Sequence, residues 1–260
     1  MTPKIPVHNA HALPEKMTVF ITGVASGIGL AQAKAFLQKG HNVYGIDCQV
    51  GEVEALSAQY PQTFGFSQAD VTQVNDVERA VTECVARYGS VQVLCNTAGV
   101  LDHFATLEQT TRDMWQRILD VNVTGMFNVT QALLPYLLQQ PTSRVINMAS
   151  IASLTAGGGG IAYTTAKHAV AGFTKQLAYD YSKKGLRSNA IAPGAIQTAM
   201  TQMDFEQDNG KMAQWVANQV PIGRWAQADE VAQLTLFLAS DASDYMQGNI
   251  IPLDGGWMIR

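Results

Sequence analysis

The feature that most constrains this chain is a repeated alternation of short apolar runs with longer amphipathic runs. Runs of five to seven residues, beginning with Thr18–Thr22, recur to the C-terminal end. Longer segments between them carry apolar residues every three or four positions, as in residues 73–88, where Val74, Val77 and Val81 share one side. Because strands joined by helices need crossover connections, the pattern predicts a parallel sheet with helices on both faces.

The predicted elements follow one another without a linker that would mark a second domain. Seven strands are predicted, at residues 18–22, 42–47, 64–70, 91–95, 144–148, 187–192 and 249–253. Helices are predicted at residues 27–39, 51–59, 73–88, 110–138 and 162–184. Pro135 is expected to kink the long fourth helix or end it early. We therefore predict an α/β fold with a doubly wound parallel sheet of about seven strands.

Composition and charge argue against nucleic-acid and membrane partners. The chain has 17 Lys and Arg against 21 Asp and Glu, a formal net charge of −4. A protein that binds nucleic acid through its phosphates needs a basic excess, so no nucleic-acid partner is expected. Hydrophobic residues make up 47% of the chain, enough to form a core. No apolar run approaches the roughly 18 residues of a membrane span, so no membrane partner is expected either.

The cysteines and the N-terminal segment indicate a compartment. Cys48, Cys84 and Cys95 lie far apart and form no CxxC motif, which favours reduced thiols and a cytoplasmic protein. No His or Cys cluster has ligand spacing, so no metal site is predicted. Residues 1–16 lack the apolar stretch of a signal peptide and are interpreted as an N-terminal extension. Residues 17–260 are interpreted as one domain.

Residues 199–226 interrupt the alternation with a Met- and Gln-rich segment. In doubly wound sheets, ligands bind outside the carboxyl ends of the strands. A long connection at that edge is a candidate substrate lid. Met200, Met203, Phe205, Met212 and Trp215 suggest an apolar cover, although Met and aromatic residues at such spacing more often serve packing than recognition.

A glycine-rich turn, TGVASGIG, joins the first strand to the first helix at residues 22–29. A pyrophosphate at a helix N-terminus meets free N–H groups and the positive end of the helix dipole. Glycines let the backbone turn sharply and approach such a ligand closely. The position of the turn therefore predicts a dinucleotide site rather than a plain strand-to-helix connection.

Asp47 ends the second predicted strand, 18 residues after Gly29. A carboxylate there can accept hydrogen bonds from the hydroxyls of an adenosine ribose. It would repel a 2′-phosphate at close range. No Arg or Lys lies in the glycine turn or closely follows Asp47, so NAD is expected in preference to NADP.

Two further segments end strands where a dinucleotide would lie. Asp70 ends the third predicted strand, and the run Asn96–Gly99 ends the fourth. Each taken alone could be an ordinary turn.

Tyr163 and Lys167 begin the 162–184 helix four residues apart and so share one face. A tyrosine has a reference pKa of about 10, too high for a base near neutrality, and a nearby ammonium lowers it. Such a tyrosine can exchange a proton with an alcohol or a carbonyl. Ser150, at the carboxyl end of the fifth strand, could hold the substrate oxygen, with Ser153 as second choice.

The motifs together resemble the single-domain short-chain dehydrogenase/reductase family. They are TGVASGIG, Asp47, Asp70, NTAG at 96–99, Asn122, Ser150, YTTAK at 163–167, PGAIQT at 193–198 and DGG at 254–256. The resemblance runs from about residue 17 to residue 260. One departure is Thr97, where the family more often has asparagine.

The resemblance implies a seven-stranded Rossmann-type sheet, hydride transfer at a nicotinamide, and usually a homotetramer. It implies that Tyr163 is the catalytic acid/base and that Lys167 lowers its pKa and binds the nicotinamide ribose. Ser150 would orient the substrate oxygen, and Asn122 would hold a water that links Lys167 to solvent.

The remaining residues implied by the resemblance contact the cofactor. They are Gly23, Ser26, Gly27, Ile28 and Gly29 at the pyrophosphate and ribose; Asp47 at the adenosine ribose; Asp70 and Val71 at the adenine; Asn96, Ala98 and Gly99 along the cofactor, beside Tyr163 and Lys167; and Pro193, Gly194, Ile196 and Thr198 at the nicotinamide carboxamide.

The leading hypothesis is an NAD-dependent oxidoreductase acting on a secondary alcohol or ketone, with a free small substrate such as a secondary alcohol, diol, polyol or hydroxy acid. A 3-oxoacyl-(acyl carrier protein) reductase is the alternative within the class; Lys183 and Lys184 keep a docked carrier open. A non-catalytic NAD-sensing protein on the same fold is a second alternative, although an idle scaffold has no need for the catalytic set. Epimerase or dehydratase chemistry is less favoured because only some 60 residues follow Thr198.

Overall fold

A computed structural model describes residues 15–259 of the chain. The strands in this part are β1 (Thr18–Thr22), β2 (Asn42–Asp47), β3 (Phe64–Gln68), β4 (Val93–Asn96), β5 (Ser143–Met148), β6 (Leu186–Pro193), β7 (Ile196–Gln197), β8 (Ala226–Gln227) and β9 (Ile250–Leu253). All of them except β7 and β8 form one parallel sheet in the order β3-β2-β1-β4-β5-β6-β9. The predicted doubly wound α/β fold with seven strands is confirmed.

Helices cover both faces of this sheet. They are α1 (Gly27–Gln38), α2 (Val53–Gln59), α3 (Val74–Tyr88), α4 (Arg112–Leu119), α5 (Met126–Leu137), α6 (Ile161–Tyr181), α7 (Gln202–Glu206), α8 (Lys211–Gln219) and α9 (Ala228–Leu238). No helix in residues 15–259 is long and apolar enough to cross a membrane.

Alternate residues of each central strand face opposite layers of the core. Val19 and Ile21 of β1 pack on one face with Phe36 of α1, whereas Phe20 packs on the other face with Leu133 of α5. This two-residue period buries the sheet on both sides. The strand order reverses between β1 and β4, which opens a crevice at the carboxyl ends of the strands.

The long helix predicted over residues 110–138 is divided into three parts. A π-helical turn, Asp120–Gly125, separates α4 from α5. The interruption therefore lies at residues 120–125 rather than at Pro135, after which α5 continues for two residues. A proline lacks one N–H donor, and this loss has little effect here because only two residues of α5 follow Pro135. Single π-turns of this kind often occur at functional sites.

The predicted lid begins and ends at a small parallel ladder. Ile196 of β7 pairs with Ala226 of β8, so the two ends of the 199–226 segment lie side by side. Within the segment, the rings of Phe205 and Trp225 lie 4.9 Å apart, and the Trp225 indole donates to the Ala213 carbonyl at 2.9 Å. The segment is thus a packed helical flap. The predicted extension, residues 1–16, lies outside the described part except for its last two residues.

Candidate active site

The glycine turn between β1 and α1 has a backbone that only glycine adopts easily. Gly23 and Gly27 have φ of +73° and +53°. A Cβ at Gly29 would lie 2.0 Å from the Gly23 carbonyl oxygen, which leaves no room for a side chain. No side chain caps the N-terminus of α1. Its first amide groups and the positive end of its dipole therefore remain available to an anion.

Asp47 is held rigidly beside this turn. Its Oδ2 accepts the Ala25 N–H at 3.0 Å, and its Oδ1 accepts the Gln49 N–H at 3.0 Å. Asp70, two residues beyond the end of β3, accepts the Thr72 N–H through Oδ1 at 2.9 Å. Both side chains line the same end of a cleft, which is consequently acidic.

Ser150, rather than Ser153, faces the cleft. Ser150 lines the cavity, and its Oγ accepts the Ala152 N–H at 3.1 Å. The Ser153 hydroxyl is buried and donates to the Lys167 carbonyl at 2.7 Å. Ser150 is therefore the serine that a ligand in the cleft would meet, and its role toward the substrate oxygen stays a prediction.

Tyr163 and Lys167 lie on the first turns of α6 and face the cleft together. The Lys167 ammonium is 5.4 Å from the centre of the Tyr163 ring and donates to the Met148 carbonyl at 2.7 Å. Lys167 is 4% exposed, and burial lowers the pKa of its ammonium to about 8. The β5 strand thus holds Lys167 through its last carbonyl.

Burial raises the pKa of Tyr163 to about 12, the hydrogen bond with Ser150 lowers it, and the charge of Asp102 raises it further. The sequence leads us to expect a lowered value. In the protein alone, desolvation of the phenolate is the largest effect and outweighs any attraction from Lys167. The phenol is therefore held protonated at neutral pH.

Asn122 lies within the π-helical turn and is 3% exposed. Its Oδ1 accepts the Val100 N–H at 3.0 Å, and its Nδ2 donates to the Val100 carbonyl at 2.8 Å. The side-chain amide thus mimics a peptide group and holds the loop that follows β4. The water-binding role implied by the resemblance remains a prediction.

One cleft of about 1300 Å³ brings most of the predicted residues together. Those that line it are Gly23, Ser26, Gly27, Ile28, Gly29, Asp47, Asp70, Val71, Ala98, Gly99, Ser150, Tyr163, Lys167, Pro193, Gly194, Ile196 and Thr198. Asn96 and Asn122 do not line it. Asn96 instead donates through Nδ2 to Thr130 and Asn147, both at 2.9 Å, behind the cleft wall.

The cleft fits an extended dinucleotide. Its volume exceeds the roughly 300–1,000 Å³ of an ordinary small-ligand pocket. The glycine turn packs tightly against the loop after β4, because a Cβ at Gly23 would lie 2.9 Å from the Ala98 Cα, so only glycine keeps the backbone of the turn in this position. The cradle, the uncapped helix and the fixed Asp47 suit a pyrophosphate followed by a ribose diol.

The predicted lid segment, residues 199–226, contributes apolar side chains and one carboxylate to the cleft. Met200, Met212 and Trp215 line the cleft, as does Asp204. In the described part of the chain Asp204 forms no ion pair, and burial raises the pKa of its carboxyl. The basic side chains lining the cleft are Arg117 and Lys167, neither of which belongs to the lid.

Sequence reasoning missed several residues that support the site. Gln32 is fully buried, accepts the Thr97 hydroxyl at 2.7 Å and donates to the Thr235 hydroxyl at 2.9 Å. The departure at Thr97 is thus accommodated by a partner on α1. The available signal was the position of Gln32, which lies four residues after Ile28 and four before Phe36 on the apolar face of α1. Asp102, another buried residue, carried no motif at all.

The comparisons with known proteins extend over nearly the whole chain. A family model described as enoyl-(acyl carrier protein) reductase matches residues 23–258. The chain is 35% identical to 2-dehydro-3-deoxy-D-gluconate 5-dehydrogenase of Bacillus subtilis (strain 168), covering 98% of this chain and 99% of the relative. It is also 35% identical to 3-oxoacyl-(acyl-carrier-protein) reductase FabG of Thermotoga maritima, covering 94% and 99%.

A solved structure agrees with these matches. It is a gluconate 5-dehydrogenase from Burkholderia cenocepacia J2315 in complex with NADP and tartrate, 29% identical, with a TM-score of 0.87. The alignment covers 95% of this chain and 97% of that chain.

Substitution of Gly29 by alanine tests the cradle. Because the added Cβ would overlap the Gly23 carbonyl, we expect Gly29→Ala to weaken NADH binding at least tenfold and to destabilise the fold by about 1–3 kcal/mol. Gly172→Ala is the matched control, since a Cβ at this exposed position in α6 meets nothing within 4 Å. The control should be stabilised by about 0.5–1 kcal/mol. Fluorescence titration and thermal melts measure both; wild-type binding by Gly29→Ala would contradict the cradle.

Proposed function

The chain belongs to the short-chain dehydrogenase/reductase family, and from this membership we propose an NAD-dependent enzyme with Tyr163 as its acid/base. It is an oxidoreductase that transfers a hydride between a nicotinamide cofactor and a secondary alcohol or ketone. The nicotinamide, when bound, supplies or accepts the hydride. The observation that carries the proposal is the convergence of Ser150, Tyr163 and Lys167 on the cleft that contains the glycine turn.

In the reductive direction, Tyr163 gives the proton from its phenolic oxygen to the carbonyl oxygen of the substrate. At neutral pH the phenol carries the proton that the substrate oxygen takes. Burial raises the phenol pKa and so makes it a weaker acid, whereas the hydrogen bond with Ser150 acts in the opposite direction. The Ser150 hydroxyl orients that oxygen, since it lies beside the phenol. The buried Lys167 ammonium stabilises negative charge as the phenol loses its proton.

In the oxidative direction, the same phenol must first lose its proton. Oxidation of an alcohol should therefore become faster as pH rises, whereas reduction of a ketone should hold its rate until alkaline pH. The sign follows from the raised pKa of Tyr163.

Preference for NAD over NADP is proposed from Asp47. Its carboxylate is fixed by two backbone N–H groups where an adenosine ribose would lie. A 2′-phosphate placed there would meet a fixed negative charge without a basic partner from the glycine turn. The Burkholderia relative holds NADP, so the fold alone does not decide the cofactor.

A small, uncharged alcohol or ketone is proposed as the substrate. Met200, Met212 and Trp215 form an apolar cover over the cleft, which suits an apolar substrate body. Asp204 adds negative charge to the same wall, which disfavours a carboxylate or phosphate near it. No Arg or Lys side chain from the described lid lines the cleft to offset this charge.

Reduction of a 3-oxoacyl thioester on a carrier protein is the second candidate. The identity to the Thermotoga maritima reductase favours it, and Lys183 and Lys184 are exposed basic residues near the end of α6. Asp47 argues against the NADPH preference that such reductases usually show.

A cytoplasmic homotetramer completes the proposal. Cys48, Cys84 and Cys95 are all unpaired thiols, which is consistent with a reducing compartment. The edge strand β9 leaves backbone groups available for pairing with a second copy. Phe127 on α5 is 45% exposed and could be covered by another copy.

The chemical step is tested by replacing Tyr163 with phenylalanine. Loss of the phenolic proton should reduce turnover on the order of 10²–10⁴-fold and leave NADH binding nearly unchanged. Tyr179→Phe is the matched control, because Tyr179 lies on the same helix and is 84% exposed. NADH oxidation is followed with a panel of ketones, diketones, keto sugars and 3-oxoacyl thioesters.

The panel also separates the substrate classes. Neutral ketones should exceed their carboxylate analogues in kcat/KM by roughly tenfold or more. Preferred turnover of 3-oxoacyl thioesters would favour the second candidate. Tight NADH binding with no turnover on any panel member would favour the sensing alternative, and wild-type rates in Tyr163→Phe would refute the assigned acid/base.

The cofactor preference is tested with Asp47→Ala. Removal of the charge should raise the NADPH to NADH ratio of kcat/KM by roughly ten- to a hundredfold. Glu54→Ala makes the same change in net charge at an exposed position outside the cleft. An unchanged ratio in the Asp47 variant would remove this residue from cofactor selection.

Assembly is tested by sedimentation velocity of the purified protein at micromolar concentration. The family resemblance leads us to expect a species of four copies, and the edge strand β9 and the exposed apolar side chains are surfaces that other copies would cover. A clean monomer would contradict the tetramer.

A further inference from the structure

Asp102 is a buried carboxylate to which neither the motifs nor the proposed mechanism assigns a role. It is 1% exposed and follows the Asn96–Gly99 segment by three residues. No ion pair involves it within residues 15–259. Burial of an ionised carboxylate costs free energy unless hydrogen bonds compensate, so its partners indicate what it does.

Its partners are the first backbone amides of the helix that carries Tyr163. Oδ1 accepts the Gly160 N–H at 2.8 Å, and Oδ2 accepts the Tyr163 N–H at 2.9 Å. The Ala105 carbonyl accepts the Ile161 N–H at 3.1 Å. The loop after β4 thus satisfies three amides at the positive end of α6, and the charge is favourable there.

The same carboxylate shapes the rim of the cleft. Oδ1 also accepts the Phe104 N–H at 3.3 Å. His103 and Phe104 have φ of +52° and +60°, a left-handed conformation that residues other than glycine rarely adopt. Both side chains line the cleft, so this strained turn presents them to a substrate.

We propose that Asp102 is a positioning residue that fixes two parts of the site at once: the first turn of α6 with Tyr163, and the His103–Phe104 rim. The start of α6 packs closely against the loop that contains Asp102, because a Cβ at Gly160 would lie 2.6 Å from Asp102 Oδ2 and 2.5 Å from the Ala105 backbone. The inference rests on the proposed acid/base role of Tyr163.

The charge of Asp102 has a second consequence. Burial is the largest cause of the raised pKa of the Tyr163 phenol, and the negative charge of Asp102 raises that pKa further. Its removal should therefore move the pH profile of alcohol oxidation toward lower pH. The other titratable or charged groups that line the cleft are Lys167 on α6, His103 in the loop, Asp113 and Arg117 on α4, Asp120 in the π-turn, Asp204 on the lid, and Asp47, Cys48 and Asp70 at the ends of β2 and β3. They are unchanged in every variant below.

The test compares Asp102→Asn with Asp102→Glu in the full chain. Asn keeps the shape and one oxygen but loses the charge; Glu keeps the charge but extends the side chain. In both variants we expect kcat to fall roughly tenfold, because the helix start and the rim lose their alignment. Only in Asp102→Asn should the profile shift, by about half a pH unit to lower pH. Asp180→Asn, at the exposed far end of α6, is the control.

The outcomes separate positioning from mere stability. A lower kcat with a shifted profile in Asp102→Asn, and unchanged NADH affinity, supports the inference. Wild-type kcat in Asp102→Asn, or an equal loss of kcat in both variants without any shift, overturns it. If Asp102→Asn does not fold, Gly160→Ala is the second variant, because it displaces the carboxylate without removing it. A loss of kcat with a wild-type pH profile in this variant supports the inference. Wild-type kcat in Gly160→Ala, or its failure to fold, overturns the inference.

The design also separates this inference from the proposed function. Activity that survives in Tyr163→Phe refutes the acid/base itself. An inactive Tyr163→Phe together with wild-type behaviour of the Asp102 variants refutes only the positioning role.

Discussion

The parallel direction of all seven strands is the constraint on which the site depends. Because the strands run the same way, their carboxyl ends meet at one edge. The glycine turn after β1, Asp47 at the end of β2 and Ser150 after β5 therefore line one cleft. Parallel strands need crossover connections, and the helices that form these connections bury the sheet on both faces. The reversal of strand order beside β1 leaves the crevice open.

Two buried charges of opposite sign hold the helix that carries Tyr163. Lys167 donates to the last carbonyl of β5, and Asp102 accepts from the first amides of α6. Neither could be buried without such partners, since each would otherwise lose its hydration without compensation. The helix is therefore positioned by hydrogen bonds to the end of β5 and to the loop after β4, and its alignment depends on the backbone conformation of both. Ser153 adds a third tie through the Lys167 carbonyl.

The side chains proposed to select the cofactor and the substrate lie away from this framework, on the lining of the cleft. The acidic end with Asp47 faces the proposed adenosine site, and the lid with Asp204 faces the proposed substrate. Relatives with similar overall folds carry different names and one contains NADP, in keeping with function that resides in the site rather than in the fold. Asp47 is the last residue of β2 and Asp204 lies on α7, and neither side chain belongs to the buried apolar core.

Local periodicity and backbone stereochemistry were enough to predict the strands, most helices, the glycine turn and the shared face of Tyr163 and Lys167, because each depends on residues close in sequence. The π-turn around Asn122, the Gln32 partner of Thr97 and the burial of Asp102 could not be predicted, because each depends on contacts between segments distant in the chain. Desolvation decides the raised pKa of Tyr163 in the same way, and a sequence does not show which groups lose their water. The sequence by itself therefore determined the fold and the candidate chemistry. Only the tertiary structure decided which buried groups position the reacting side chain, since hydrogen-bond partners and burial arise from packing.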